Sequence, residues 1–248
     1  MIKPTGNIVE IFKSIQGEGL WIGERQIFLR LAGCNLSCKY CDTGYALEVP
    51  QRYKIGNNTD RDKPCPYHNN PVALTETIEM IKSYGSSLTT VSITGGEPLL
   101  QVDYLRMLLP LLKREGHRIY LETNATLPEQ LAEILQWVDI VSADIKLPSF
   151  TGEADIPKEH REFLKVAKKK DLFVKVVVTD ETIMDEISMA VDIVRDTNKN
   201  IPLVIQPAVK NGKPMENQER LLEWNDYAAK RLTNVRLIPQ IHKLMGWK

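Results

Sequence analysis

Apolar runs rich in β-branched residues recur at Ile27–Leu31, Thr89–Ile93, Arg118–Glu122, Asp139–Ile145, Leu172–Val178, Pro202–Gln206 and Asn234–Ile238. Between them lie stretches with apolar residues near i, i+3 and i+4: Leu74–Tyr84, Asp103–Glu115, Pro128–Trp137, Lys158–Lys170, Glu181–Thr197 and Asn217–Leu232. The short β-branched runs predict strands and the helical spacing predicts helices, several opening on a capping residue such as Thr75 or Asp180. Strands separated by single helices make βαβ units and hence a parallel sheet. Six or seven such repeats fall short of the eight that close a full barrel. The expected fold is α/β, an incomplete (β/α)6-type partial TIM barrel in a single domain over residues 1–248, with an open doubly wound sheet as the alternative. Either architecture puts chemistry at the carboxyl ends of the strands.

One segment breaks the alternation. Glu48 to Pro71 is polar and carries Pro50, Gly56, Pro64, Pro66 and Pro71. A loop of this length inside a compact domain is usually a lid or a binding loop, and residues 46–72 are read as an insertion.

Composition narrows the picture. A 43% hydrophobic fraction over 248 residues supplies one sizeable core. The 32 basic and 32 acidic side chains cancel, which argues against binding to long nucleic acid or to an anionic membrane. No run of eighteen apolar residues crosses a bilayer, and Met1–Glu10 has no apolar leader pattern, so a cytoplasmic protein is expected. Its four cysteines are then reduced thiols.

Three of those cysteines stand together in Cys34-Asn-Leu-Ser-Cys38-Lys-Tyr-Cys41, directly after a predicted strand. Thiolates suit iron–sulfur clusters, and short spacing lets three sulfurs converge. A [4Fe–4S] cluster has four irons, so three cysteines leave one iron open to a small molecule. A zinc site is the alternative, but zinc usually pairs two close-spaced couples, and no second couple follows. Cys65, within Pro64-Cys-Pro-Tyr-His68, reads as incidental. A second motif, Thr94-Gly-Gly-Glu-Pro98, ends another strand, where paired glycines admit a ligand close to the backbone.

Together these two motifs resemble the radical SAM superfamily. The resemblance implies that Cys34, Cys38 and Cys41 hold the cluster and carry the catalysis. It also implies that Gly95, Gly96 and Glu97 meet the methionine amino group of S-adenosylmethionine (SAM), and that Tyr40 packs on its adenine. A third set of motifs is more discriminating: Glu10-Ile-Phe-Lys-Ser-Ile-Gln-Gly-Glu-Gly19, Phe28-Leu-Arg-Leu-Ala-Gly-Cys-Asn-Leu36, Cys41-Asp-Thr43, Leu121-Glu-Thr-Asn124, Gln206-Pro207 and Pro239-Gln-Ile-His-Lys243. These resemble the 7-carboxy-7-deazaguanine synthase family of queuosine and archaeosine base synthesis.

That resemblance implies further roles. Ile15, Gln16 and Gly17 would hold a pterin, and Arg30 would clamp its carboxylate with a planar fork. Thr43, next to Asp42 on the cofactor side, would give an oxygen to Mg²⁺. Thr94 would touch substrate. Ser142, Ala143 and Asp144, with Gln206, Pro207, Ala208 and Val209, would line the SAM ribose and methionine. His242 and the carboxylate of Lys248 would close over the substrate. Glu18 is read as a turn-stabilising carboxylate or a substrate acceptor, and Glu122 as a substrate neighbour or half of a structural ion pair. Where the family often has Ser-Pro-Lys, this chain has Ser142-Ala-Asp-Ile-Lys146, which leaves the place of Lys146 open.

The implied reaction starts with one-electron cleavage of SAM to methionine and a 5′-deoxyadenosyl radical, which takes hydrogen from C6 of 6-carboxy-5,6,7,8-tetrahydropterin. Ring contraction and loss of ammonia then give 7-carboxy-7-deazaguanine. The family implies a flavodoxin or ferredoxin as electron donor and a homodimer. Two rivals stand beside this: an activase that installs a glycyl radical on a partner protein, and a non-catalytic metal-binding protein.

Overall fold

The apolar runs become strands that lie side by side in the order the chain delivers them. The computed structural model describes residues 5–39, 41–57, 66–152, 156–210, 213–214 and 217–246. Ten strands form one sheet: β1 (Ile8–Ile15), β2 (Arg25–Leu31), β3 (Arg52–Asn57), β4 (Tyr67–Asn69), β5 (Thr90–Gly95), β6 (Arg118–Thr123), β7 (Ile140–Ile145), β8 (Asp171–Val178), β9 (Leu203–Pro207) and β10 (Val235–Leu237). Their order across the sheet is β10-β9-β8-β7-β6-β5-β2-β1-β3-β4. From β2 through β5 to β10 every neighbouring pair is parallel. The crossovers between these parallel strands carry α1 (Leu74–Ser83), α2 (Val102–Arg114), α3 (Pro128–Ile134), α4 (Ile156–Ala167), α5 (Met184–Asn198) and α6 (Gln218–Ala229). A doubly wound sheet would reverse its strand order at a switch point. Among the described residues the parallel strands never do so, and the sheet ends at β10 and β4 without closing. The fold is the incomplete (β/α)6-type barrel.

Two additions lie outside the predicted strands. β1 pairs antiparallel with β2. The polar stretch Glu48–Pro71 contributes β3, parallel to β1, and β4, antiparallel to β3. An edge strand needs few apolar side chains, and here Tyr53 is fully buried and gives its hydroxyl to Glu76 at 2.9 Å. Cys65 lies outside the described residues.

Strand alternation sorts packing from chemistry. Outward positions such as Ile27, Leu29, Val91, Ile93, Val141 and Val174 join the apolar faces of the helices in the main core. Inward positions form two levels. The lower one packs Tyr120, Ile140, Phe173 and Val204 against Leu20, Trp21 and Ile238. Leu20 and Trp21 come from the β1–β2 connection, which therefore plugs the lumen, and the Trp21 ring carries the Arg118 guanidinium at 4.4 Å. Further along the same strands the inward positions turn polar: Arg30, Thr94, Glu122, Asp144, Lys175 and Gln206 all face one cavity.

Candidate active site

That cavity, of about 1020 Å³, opens at the carboxyl ends of the parallel strands, and Cys34, Cys38 and Cys41 line it from the connection leaving β2. The base of this thiol loop is fastened where Gly33 N–H donates to the Ala46 carbonyl at 2.8 Å. The glycine pair at the end of β5 lets it come close. A Cβ on Gly96 would stand 2.3 Å from the Gly33 carbonyl oxygen and 2.9 Å from Cys34 Cβ, and one on Gly95, at φ +154°, would meet the Leu31 oxygen at 2.2 Å. Leu36 N–H points at Cys34 Sγ at 3.5 Å. Asn124 braces the loop by donating to Asn35 Oδ1 at 2.9 Å, and Asn35 donates onward to Thr126. Burial pushes the Cys34 and Cys38 thiols above their ordinary range, so holding them as thiolates calls for a cation. Three sulfurs facing one cavity, with an N–H donor aimed at Cys34, fit a [4Fe–4S] cluster with one open iron. Tyr40 lies outside the described residues.

On the SAM side the expected residues divide by where their side chains point. Ser142 and Asp144 face the cavity, whereas Ala143 points the other way into the helix-facing core. Gln206, Ala208 and Val209 line the cavity, and Pro207, which alternates with Gln206 at the end of β9, does not. Glu97 is fully buried beneath the turn. Its carboxylate accepts from Leu99 N–H at 3.0 Å, Thr123 Oγ1 at 2.9 Å and Asn124 N–H at 2.7 Å. It therefore caps the Pro98–Gln101 turn and ties it to the end of β6, while Gly95 and Gly96 do reach the cavity. Burial raises the Glu97 carboxyl to about 7 against those three donors. Among the described residues, Gln206 is fully buried with both amide atoms unpartnered, and Asp144 Oδ1 is likewise unpartnered. Orphaned polar atoms of this kind each cost roughly 1–3 kcal/mol and mark where a polar ligand belongs.

Across the cavity the expected substrate residues converge. Arg30 Nε donates to Glu10 Oε1 at 3.0 Å, and among the described residues its η nitrogens have no partner. Glu122 is hydrogen-bonded rather than ion-paired: Thr94 Oγ1 donates to it at 2.8 Å and Gln16 Nε2 at 2.8 Å. Gln16 is committed elsewhere too, accepting Glu18 N–H on its side chain and Gly23 N–H on its carbonyl. Ile15 and Gly17 line the same wall. The Gly17 carbonyl accepts from Ile241 N–H at 2.9 Å, and a Cβ on Gly17 would stand 2.4 Å from His242 Nδ1, so the turn Ile241–Leu244 seats directly on this loop. Asp42 accepts from Lys243 at 2.9 Å and from Gln240 at 3.2 Å. Thr43 lines the cavity with its Oγ1 at 3.8 Å from Cys41 Sγ. Lys248 lies outside the described residues.

Between the two halves stands Lys175, which carried no role in the sequence reading. It ion-pairs with Glu18 and reaches Asp144 Oδ2 at 3.3 Å, while Lys146 takes the same oxygen at 2.9 Å. This settles Lys146 as an Asp144 partner at the cavity wall. Burial opposes the charge on Lys175, but Glu18, Asp144 and Glu122 outweigh it and hold the ammonium well above its usual range. Burial likewise opposes the Glu18 charge, yet Lys175 and His242 bring that carboxyl far below the ordinary range. The available signal was a single lysine on inward parity inside the apolar run Leu172–Val178. Gln240, which donates to Glu18 Oε1 at 2.7 Å, was also missed.

Barrel and thiol loop together define a radical SAM protein, and the Radical SAM superfamily model matches residues 29–184. The chain is 39% identical to a 7-carboxy-7-deazaguanine synthase of Geobacter sulfurreducens over 99% of both chains, and 34% identical to one of Methanopyrus kandleri over 98% of this chain and 95% of that one. It belongs to the 7-carboxy-7-deazaguanine synthase family, which sets aside the activase and the non-catalytic alternatives. The structure of QueE from Escherichia coli shares the fold, with a TM-score of 0.61 at 22% identity over 96% of this chain and 95% of that one. No helix among the described residues is long and apolar enough to cross a membrane.

Proposed function

We propose that this chain converts 6-carboxy-5,6,7,8-tetrahydropterin to 7-carboxy-7-deazaguanine with loss of ammonia. The observation that carries the proposal is one cavity with three thiols on one wall and, on the other, a guanidinium whose η nitrogens are uncommitted. When bound, a [4Fe–4S] cluster and SAM supply the one-electron chemistry that activates a carbon–hydrogen bond of the substrate. Cys34, Cys38 and Cys41 hold the cluster; Ser142, Asp144 and Gln206 offer polar atoms to SAM. Arg30 binds the substrate carboxylate as a fork. Glu122, fixed by Thr94 and Gln16, presents an acceptor to the pterin's N–H groups. Thr43 gives an oxygen to Mg²⁺, which keeps other positions for substrate. Gln240 and His242 cover the site and exclude water. The proposed reaction also calls for a flavodoxin or ferredoxin, a homodimer and a cytoplasmic setting.

The test is anaerobic: reconstitute the cluster, add dithionite, SAM, Mg²⁺ and 6-carboxytetrahydropterin, and follow 7-carboxy-7-deazaguanine by mass-resolved chromatography. Product that depends on every component is expected, and Cys34→Ala, Cys38→Ala or Cys41→Ala should abolish both cluster retention and product. SAM cleavage without this product would discard the substrate. No cleavage by protein with a verified cluster would overturn the reaction class.

A further inference from the structure

Arg30 does not stand alone in its wall. Glu10, its register partner across β1 and β2, binds Nε. The Phe12 ring flanks the guanidinium at 5.8 Å and the Tyr45 ring at 6.0 Å. Phe12 is itself fixed, stacked on Phe28 at 5.0 Å with planes 8° apart. Glu10 and Phe12 are thus anchored by the sheet. Tyr45 is not: it is half exposed, on the 3₁₀ turn Gly44–Ala46, and its hydroxyl donates to the same Glu10 Oε1 at 3.0 Å. That turn is the foot of the thiol loop, closed by Ala46 N–H to the Thr43 carbonyl at 2.7 Å and by Gly33 N–H to the Ala46 carbonyl. The clamp therefore has two members carried by the barrel wall and one carried by the segment that follows Cys41.

We propose that Tyr45 is a positioning residue that ties the Arg30 carboxylate clamp to the thiol loop, so that ordering the loop around its cluster and engaging the substrate carboxylate reinforce each other. The proposal rests on the substrate reading above. The physical reason is economy of freedom: a guanidinium on a long side chain binds a carboxylate well when its plane is already set. With Tyr45 displaced, Arg30 keeps one ring and one bond and its plane is no longer fixed. Coupling between two binding events is reciprocal, so a carboxylated pterin should protect the cluster as much as the cluster favours the pterin.

The experiment uses reconstituted holoenzyme without SAM, so that nothing turns over. The probe is 6-carboxypterin, an oxidised fluorescent analogue, compared with pterin lacking the carboxylate. Tyr45→Ala should weaken 6-carboxypterin binding about tenfold and leave pterin unchanged, while Tyr45→Phe, which keeps the ring, should lose only about threefold. In the wild type, 6-carboxypterin should slow the loss of cluster absorbance to a chelator; in Tyr45→Ala that protection should disappear. Wild-type preference and protection retained in Tyr45→Ala would overturn the role of Tyr45 alone. Equal loss of both pterins with a lowered melting temperature would overturn it in favour of simple packing. A wild type that does not prefer the carboxylated pterin, or an Arg30→Met variant that still does, would overturn the substrate reading and this inference with it.

Discussion

At the scale of single residues, Lys175 shows how a buried charge is kept. Its ammonium is shared by Glu18 and Asp144, with Glu122 close by. Removing one partner from such a group leaves the others desolvated and uncompensated, which costs about 3 kcal/mol or more. Lys175→Met is therefore expected to lower the unfolding free energy of the ligand-free protein, read from denaturant titration, by that amount. The double variant Lys175→Met with Glu18→Gln should recover part of the loss, since a pair removed together leaves less charge behind. An unfolding free energy within about 0.5 kcal/mol of the wild type, the range of an ordinary surface substitution, would mean that the carboxylates are solvated. Little of this was legible beforehand. The family resemblance pointed to Arg30 and Thr94, but which of several carboxylates meets one lysine depends on strand register, and register is set across elements distant in the chain.

At the scale of elements, the barrel's rim is held by cross-links between successive strand ends. His160 on α4 is fully buried. Its Nε2 accepts from Lys146 N–H at 3.0 Å, so Nδ1 carries the proton and donates to the Ala125 carbonyl at 3.0 Å. Ala125 sits at φ +57°, in the turn that sends Asn124 toward the thiol loop. Burial, against both hydrogen bonds, lowers the imidazole from 6.5 to about 4. An unfolded chain therefore takes up this proton first as pH falls. The His160 contribution, about 3 kcal/mol, is present above pH 6.5 and is lost progressively between 6.5 and 4. Denaturation curves across that window should be steeper in pH for the wild type than for His160→Gln, and identical slopes would refute the assignment. The elements themselves were largely readable, because a strand buried on both faces must be a continuous apolar run. β1 carries Glu10, Lys13 and Ser14 among its apolar residues, and β3 and β4 lie at the sheet's edge, where polar residues suffice; composition alone did not separate these from loop.

For the whole molecule, the cavity joins both ends of the sequence. The segment from Gln16 to Glu18 meets Gln240, Ile241 and His242, and Asp42 meets Lys243. Those late residues add no strand to the sheet, whose last member is β10. A chain ended after Pro239 should keep its cluster and a melting temperature within a few degrees of the full chain, but its KM for the carboxylated pterin should rise at least tenfold. Collapse of the fold on truncation would show that the terminal turn is structural instead.

The order of the parallel strands also bears on how the protein is made. Each strand from β6 onward pairs with the one synthesised before it, so the sheet can lengthen at one edge as the ribosome delivers it. Lys175 follows the last of the three thiols, Cys41, by 134 residues, and Gln240 follows it by 199. A nascent chain paused between these points displays its cysteines while lacking Lys175 and Gln240. The sulfur ligands therefore leave the ribosome well ahead of the residues that complete the cavity around them.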